Sequence, residues 1–328
     1  MTVHQDIVQL PINTKPIIRA WQTEANVLNI LSASYDNYLE LIYPYFIQVF
    51  YAYSDHTLWF YYQDQNYDEL FQSDRILPNK MSLSPDIIVN MLCNGFKNGY
   101  YAHIHVDEYY LPYKGAYQKI HFFHDSLLYG YDFATSEFLL CSYIIKGKDT
   151  SDYDVCRVSR DDLLLSIMEC DISEVSFIRL KQGLTPHFDS KMVYAKLKSY
   201  LTSSESGQDG LSGLAACYQA INQYIQSSEQ SRMGDHRQMR LLYEHKTLMY
   251  ERIKYMNRLY HGLFDQEENE YAKVTEQFNK LFLLVLKHRT TKKNDLLARI
   301  QAVFEQGIKQ EVSILNQLTN KMAKEGLA

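Results

Sequence analysis

Two histidines in the stretch HFFHDSLLYGYD, His121 and His124, have the residue type that proton-transfer chemistry needs. An imidazole titrates near neutral pH, so a positioned histidine can act as a general acid or base. The pair stands three residues apart before an apolar run that ends in the turn Gly130-Tyr131-Asp132. The same pattern would arise if both imidazoles had a purely structural role on a strand. The predicted elements around them must therefore distinguish the two roles.

Three runs typical of β-strands include and surround these histidines, at residues 100–110, 119–132 and 136–145. Short turns separate them, which favours antiparallel pairing. A helix is predicted before them, because Ser84 is a suitable N-cap, Pro85 takes the first helical position and Gly95 marks an end. Further upstream, apolar residues at three- and four-residue spacing predict two helices between residues 16 and 53.

Long amphipathic helices dominate the chain beyond Asp189. They are predicted at about residues 189–202, 212–228, 234–263, 267–289 and 293–318. The stretch SSESGQDGLSG, residues 203–213, is rich in serine and glycine and predicts a flexible loop. The sequence therefore predicts an α+β protein in two parts. Residues 1–188 form N-terminal helices and an antiparallel sheet, and residues 189–328 form a helical bundle region.

Composition excludes several classes of function. The chain has 328 residues, 46% hydrophobic and 22% charged, as in ordinary globular proteins. No apolar run reaches the length that spans a membrane, and no secretion signal is recognisable, so a cytoplasmic protein without a membrane partner is expected. A net charge of -6 gives no footprint for nucleic acid. Five cysteines without a CxxC pair predict reduced thiols.

Metal ions and other cofactors are not predicted either. His103 and His105 could share a metal ion with His121, but no carboxylate and histidine combination at standard spacing supports such a site. Tyrosine is unusually frequent, with 28 residues, 19 of them among the first 153. Tyrosine suits both half-wet binding clefts and β-strands, so this count fits either a ligand cleft or an aromatic-rich sheet.

Five motifs stand out along the first part of the chain: VDEYYLPY at 106–113, His121-x-x-His124, the Gly130-Tyr131-Asp132 turn, the strand leading into Lys146-Gly147-Lys148, and AWQTEANVLNILS at 20–32. Together they resemble the N-terminal family of butirosin biosynthesis protein H. The resemblance covers roughly residues 10–185. It implies a papain-like fold in secondary-metabolite biosynthesis. It also implies acyl-transfer or amide chemistry on a peptide or polyketide intermediate, which a carrier protein can hold.

Papain-like enzymes combine a thiol at a helix N-terminus with an imidazole that an Asp or Asn on the next strand orients. By the resemblance, His124 matches the catalytic histidine, with Gly130 six residues further on. The resemblance places Asp107 and Tyr110 in the substrate cleft and makes His121 a neighbour of His124. Tyr109 and Trp21 complete the set of predicted substrate-binding residues.

The other two triad members are absent from their expected places. Residues 20–22 contain neither cysteine nor serine, and Cys141 stands where the orienting Asp or Asn is expected. Three explanations remain open. The chain is a degenerate binding protein that uses a Tyr-rich cleft, or it has relocated machinery, with Cys141 as a thiolate beside His124 or with His124 and Asp107 as acid and base. Alternatively, Ala20 replaces a cysteine that would precede Trp21. Neither catalysis nor homo-oligomerisation is decided by the sequence.

Overall fold

The computed structural model describes residues 6–61, 65, 67–78, 81–147, 150–230 and 234–328. The chain divides into two compact units, the first containing residues 1–38 and 67–184 and the second containing residues 39–66 and 185–328. The sequence predicts a single boundary at residue 188, and the last of the three crossings between the units lies near it, between residues 184 and 185. It placed residues 39–66 in the first part, whereas the structure groups them with the second.

The described strands, in chain order, are β1 (Ile7–Gln9), β2 (Val49–Ala52), β3 (Thr57–Phe60), β4 (Phe71–Ile76), β5 (Tyr101–Asp107), β6 (Phe123–Asp132), β7 (Glu137–Gly147), β8 (Thr150–Ser159), β9 (Val175–Leu180) and β10 (Gly210–Ser212). The described α-helices are α1 (Gln22–Ser34), α2 (Tyr38–Ile42), α3 (Tyr67–Leu70), α4 (Pro85–Lys97), α5 (Arg160–Met168), α6 (Ser190–Thr202), α7 (Gly213–Glu229), α8 (His236–Leu259), α9 (Asp265–Thr291) and α10 (Asp295–Lys324). Helices and antiparallel sheets occur together, so the predicted α+β class is confirmed.

The first unit is built on one antiparallel sheet with the strand order β4-β9-β5-β6-β7-β8, and β1 pairs with β6. The three predicted strand runs correspond to β5, β6 and β7. A bulge in β6 lies between Leu128 and Gly130. At Gly130 the backbone of Val8 on β1 approaches so closely that a Cβ atom would overlap it. Glycine at this position therefore allows β1 to join the sheet.

One face of this sheet carries the apolar core of the first unit, against α4 and α5. Helix α4 begins as predicted, with Ser84 at the N-cap and Pro85 as the first helical residue. Gly95 does not end this helix, which continues to Lys97. A Cβ atom at Gly95 would lie 2.7 Å from the ring of Phe177, so the glycine serves close packing against β9.

Helix α1 packs on β6 and β7, and buries polar side chains there. The carboxamide of Gln22 lies between the two strands. Its Oε1 accepts a hydrogen bond of 3.0 Å from the backbone N–H of Tyr143, and its Nε2 donates to the carbonyl oxygen of Asp125. The backbone pairing of β6 and β7 begins at Leu127 and Cys141. The Gln22 side chain therefore links the two strands beyond the end of that pairing.

The second unit contains the long helices α6 to α10 and a small sheet with the order β10-β2-β3. The five predicted C-terminal helices are confirmed, with ends displaced by a few residues. The prediction of a second N-terminal helix extending to about residue 53 is wrong beyond α2, because Val49–Ala52 forms β2. The stretch 203–213, predicted as a flexible loop, contains β10, which pairs with β2. None of the helices in the described ranges is long and apolar enough to cross a membrane.

A buried ammonium group lies among the helices of the second unit. Lys246 Nζ contacts Glu311 Oε2 at 2.9 Å, the Tyr200 hydroxyl at 2.6 Å and His245 Nδ1 at 3.2 Å. These three acceptors match the three N–H groups of a lysine. Tyr271 donates to the other oxygen of Glu311 at 2.5 Å. Both charges are fully buried, and the network pairs them and satisfies their hydrogen-bonding groups.

Candidate functional site

Asp107, the last residue of β5, holds the imidazole of His121. Its Oδ2 lies 2.6 Å from Nδ1 of His121, while its Oδ1 accepts hydrogen bonds from the backbone N–H groups of Tyr109 and Phe122 at 3.0 and 3.1 Å. The carboxylate is buried, but 58% of the His121 side chain is exposed. Because an ionised carboxylate only accepts, Nδ1 of a neutral imidazole carries the proton here. Nε2 is then the basic nitrogen.

Aromatic rings border this imidazole. The ring of Tyr109 stacks on His121 with centroids 4.4 Å apart and planes 18° from parallel, and the ring of Tyr110 lies 6.1 Å away. Four of the five residues that the sequence placed in a substrate cleft are therefore neighbours. The fifth, Trp21, is the N-cap residue of α1 and only 7% of it is exposed.

A second carboxylate, Asp125 on β6, faces the first turns of α1. Its Oδ2 lies 2.8 Å from Nε2 of His103, 3.2 Å from Oγ1 of Thr23 and 3.3 Å from Nδ2 of Asn26. Asp125 pairs with His105 across the strands, so His103 and Asp125 project from the same face of the sheet. All these donors converge on one buried oxygen.

The environment of Asp125 keeps its carboxyl group ionised. Burial alone would raise its pKa, but the hydrogen bond from His103, the charges of His103 and His124, and the bond from Thr23 together hold this pKa well below its usual range. Burial and the neighbouring His103 lower the pKa of His105, which favours a neutral ring there. Asp125 therefore acts as an anchor between helix and sheet.

His124, predicted as the catalytic base, lies between two carboxylates. Its Nδ1 is 3.4 Å from Oδ1 of Asp125 and 3.8 Å from Oε1 of Glu108, and its ring stacks on Phe122. The exposed fraction of the His124 side chain is 28%. The predicted partnership of His124 with Asp107 is not present, because the carboxylate of Asp107 is turned to His121 instead.

A buried lysine connects this region to α1, and the sequence did not single it out. Lys114 Nζ donates to Oε1 of Glu108 at 2.7 Å and to Oγ of Ser142 at 2.5 Å. Ser142 in turn donates to Oε1 of Gln22 at 3.0 Å. In the sequence, the only indication of this pair is that Lys114 follows Glu108 by six residues within a tyrosine-rich segment. The ammonium group of Lys114 is paired with the carboxylate of Glu108, which indicates a structural role for this lysine.

The structure places Cys141 and Ala20 away from solvent. Burial raises the pKa of the Cys141 thiol to about 12, and its Sγ accepts from Nδ2 of Asn29 at 3.3 Å. The predicted pairing of a Cys141 thiolate with His124 is therefore disfavoured. Ala20 is 1% exposed, so a side chain at this position is enclosed by protein. All five cysteines are free thiols.

Within the part of the chain that the structure describes, no group of three or more His, Cys, Asp and Glu side chains could hold a metal ion. A comparison with protein-family models gives no match, and a comparison with curated proteins gives none either. Among the imidazole and carboxylate contacts described above, that of Asp107 and His121 combines a buried carboxylate with an imidazole that is largely exposed.

Proposed function

We propose that the chain binds an acyl or peptidyl intermediate of nonribosomal peptide or polyketide biosynthesis beside His121, and that this imidazole transfers a proton during acyl transfer or hydrolysis. The observation that carries the proposal is the 2.6 Å contact between buried Asp107 and exposed His121. A carboxylate in this position fixes the tautomer of an imidazole and stabilises its protonated form. Those two effects make Nε2 an effective general base.

In the proposed reaction, an amine or a water molecule attacks the carbonyl carbon of a thioester. Nε2 of His121 takes the proton that the attacking group loses, and the departing thiolate receives a proton from the imidazolium. The products are an amide or a carboxylic acid and a free thiol. Tyr109, stacked on the imidazole, limits its rotation and offers an aromatic edge to the acyl chain.

This mechanism needs no cysteine nucleophile, which agrees with the surroundings of Cys141. The papain-like interpretation of residues 10–185 is part of the same proposal. It is supported by the first turns of α1, which pack against β6 through Thr23 and Asp125. A cytoplasmic location also belongs to the proposal, and the five free thiols support it.

A second candidate is a binding protein without catalysis. The enclosed position of Ala20 favours it, because a nucleophile is missing from the helix end where papain-like enzymes carry one. Binding would then use the rings of Tyr109, Tyr110 and His121. The two candidates differ in one measurable property, the release of thiol from a bound thioester.

The test measures thiol release from an acyl-pantetheine thioester, with and without a primary amine, by the full-length chain. We expect release above the buffer rate, and a loss of about 100-fold or more in the His121→Gln variant. The matched control is His187→Gln, which changes an exposed histidine. Binding of the thioester without release by the unmodified chain would overturn catalysis and leave the binding protein. Equal release by both variants would exclude His121 as the base.

A further inference from the structure

The carbonyl group of Asp107 is held by a side chain on α5. Oγ of Ser166 donates a hydrogen bond of 2.8 Å to this carbonyl oxygen, across 59 positions of the chain. Ser166 is completely buried, and its neighbours on the buried face of α5 include the apolar residues Leu163 and Ile167. A serine hydroxyl has one proton, so the proton given to Asp107 is not shared with a carbonyl of α5. The hydroxyl therefore links α5 to the residue that orients His121.

The peptide unit that follows Asp107 is held at both of its polar groups. Its carbonyl oxygen accepts from Ser166, and its N–H, which belongs to Glu108, donates to the carbonyl oxygen of Phe122 at 2.9 Å. Because a peptide unit is planar, these two bonds together fix its orientation. The backbone N–H of Phe122 donates in turn to Oδ1 of Asp107. Rotation of this peptide unit would therefore displace the carboxylate that contacts His121.

The stability of α5 does not account for a serine at position 166. Alanine has a higher helix propensity and would bury no hydroxyl group in an apolar face. The N-terminus of α5 is capped by a different serine, Ser159, whose side chain accepts from the backbone N–H of Asp162. What the hydroxyl of Ser166 does contribute is a fixed position for Asp107.

We propose that Ser166 is a positioning residue for the pair of Asp107 and His121, because it fixes the backbone from which the carboxylate extends. This inference rests on the proposed function, in which Nε2 of His121 transfers the proton. Proton transfer depends on accurate placement of the imidazole, and a displaced carboxylate orients the imidazole less well. Loss of the hydroxyl should lower kcat and leave KM nearly unchanged, since Ser166 is buried and does not reach the substrate.

The test compares two serine variants of α5 in the full-length chain. Ser166→Ala removes the bond to Asp107, and Ser159→Ala removes the capping bond to Asp162 in the same helix. Release of pantetheine from an acyl-pantetheine thioester is measured by chromatography. We expect kcat to be about tenfold lower in Ser166→Ala and less than about twofold lower in Ser159→Ala. Ser166→Cys, which fills a similar space with a weaker donor, should lie between Ser166→Ala and the unmodified chain.

A double-mutant cycle shows whether Ser166 acts through Asp107. In the Asp107→Asn background, Ser166→Ala should lower kcat by less than about twofold, because the orienting carboxylate is already missing. The same loss in both backgrounds would overturn the proposal. Equal losses of kcat in Ser166→Ala and Ser159→Ala would also overturn it, because they would report only on a loosened helix.

Proton NMR tests the contact of Asp107 and His121 without any turnover. With isotope-labelled histidine, the Nδ1 proton of His121 is identified as the signal that the His121→Gln variant lacks. We expect this signal to move upfield or broaden in Ser166→Ala, because the contact lengthens, and to stay in place in Ser159→Ala. An unmoved signal in Ser166→Ala would overturn the proposal. If the signal moves but the unmodified chain releases no thiol, Ser166 positions the pair and only the proposed catalysis fails.

Discussion

Nδ1 of His121 lies 2.6 Å from Oδ2 of Asp107, across a separation of 14 positions in the chain. The contact arises because Asp107 ends β5 opposite Phe123, the first residue of β6, so the connecting segment returns to the same sheet edge. Two backbone N–H groups fix the carboxylate from the other side. The imidazole is thus oriented by a group that is itself immobilised, which is the arrangement that proton transfer needs.

Replacement of the orienting carboxylate should reduce turnover without preventing folding. In Asp107→Asn, the amide oxygen can still accept from one backbone N–H, but the side chain no longer stabilises the protonated imidazole. We expect thiol release from an acyl-pantetheine to fall about 100-fold or more, with a smaller effect on KM. Asp171→Asn, at an exposed position, is the control. Unchanged turnover in Asp107→Asn would show that the carboxylate has no role in the reaction.

The thiol of Cys141 should be chemically inert in the folded chain. Its raised pKa of about 12 and its burial leave almost no thiolate at neutral pH. We expect no acyl adduct on Cys141 by mass spectrometry after incubation with the thioester, and full turnover in Cys141→Ala. Urea should expose this thiol to iodoacetamide, which serves as the positive control. An acyl adduct on Cys141 in the native chain would contradict the mechanism without a nucleophile.

Removal of one member of the buried ion pair in the second unit should be strongly destabilising. Lys246→Met leaves the Glu311 carboxylate buried without its cation, which costs about 3–5 kcal/mol in comparable sites. The free energy of unfolding is measured in urea through Trp59 fluorescence in a Trp21→Phe background. Lys280→Met, an exposed lysine on α9, should change it by less than about 0.5 kcal/mol. Equal effects of the two variants would show that the ion pair contributes nothing.

Acid should destabilise the second unit through His245. Its Nε2 donates to the carbonyl oxygen of Ile47 at 2.8 Å, and its Nδ1 accepts from Lys246. Burial, then the charges of Lys246 and Arg252, lower the pKa of His245 well below its usual value. The unfolded chain binds a proton near pH 6.5 that the folded chain does not bind. Stability is therefore present above that pH and falls as the pH decreases below it.

We measure the urea concentration at the midpoint of unfolding, followed by Trp59 fluorescence, at pH values between 7.5 and 4.5. The His245→Gln variant is compared with the chain that keeps His245. The glutamine variant should show a shallower decline with decreasing pH, because it has no imidazole to protonate. His236 and His288, whose pKa values are also lowered, should account for part of the remaining decline. An identical slope in both proteins would exclude His245 as a source of acid sensitivity.

Local patterns in the sequence were sufficient for much of the fold. The spacing of apolar residues and the N-cap residues were enough to locate α4 and the five C-terminal helices, because both are properties of a single segment. The edge strand β8 was missed, since the segment Thr150–Ser159 is largely polar. Residues 49–52 were assigned to a helix from their apolar spacing, yet they pair with β3 and β10. Such pairing depends on distant residues and overrides local preference.

The candidate site was only partly predictable for the same reason. The sequence analysis grouped Asp107, Tyr109, Tyr110 and His121 as substrate-binding residues, and these residues are neighbours in the structure. Which histidine each carboxylate binds depends on strand register and side-chain direction. Those determine that Asp107 holds His121 and that Asp125 holds His103. The spacing of residues within one segment therefore does not predict which histidine each carboxylate contacts.

A double-mutant cycle on Asp107 and His121 tests the central claim most directly. Thiol release from an acyl-pantetheine is measured for the unmodified chain, for Asp107→Asn, for His121→Gln and for the double variant. If the two residues act as one unit, the double variant should be no slower than His121→Gln alone. Rate losses that multiply in the double variant would show that Asp107 and His121 act independently, and would contradict the proposed mechanism.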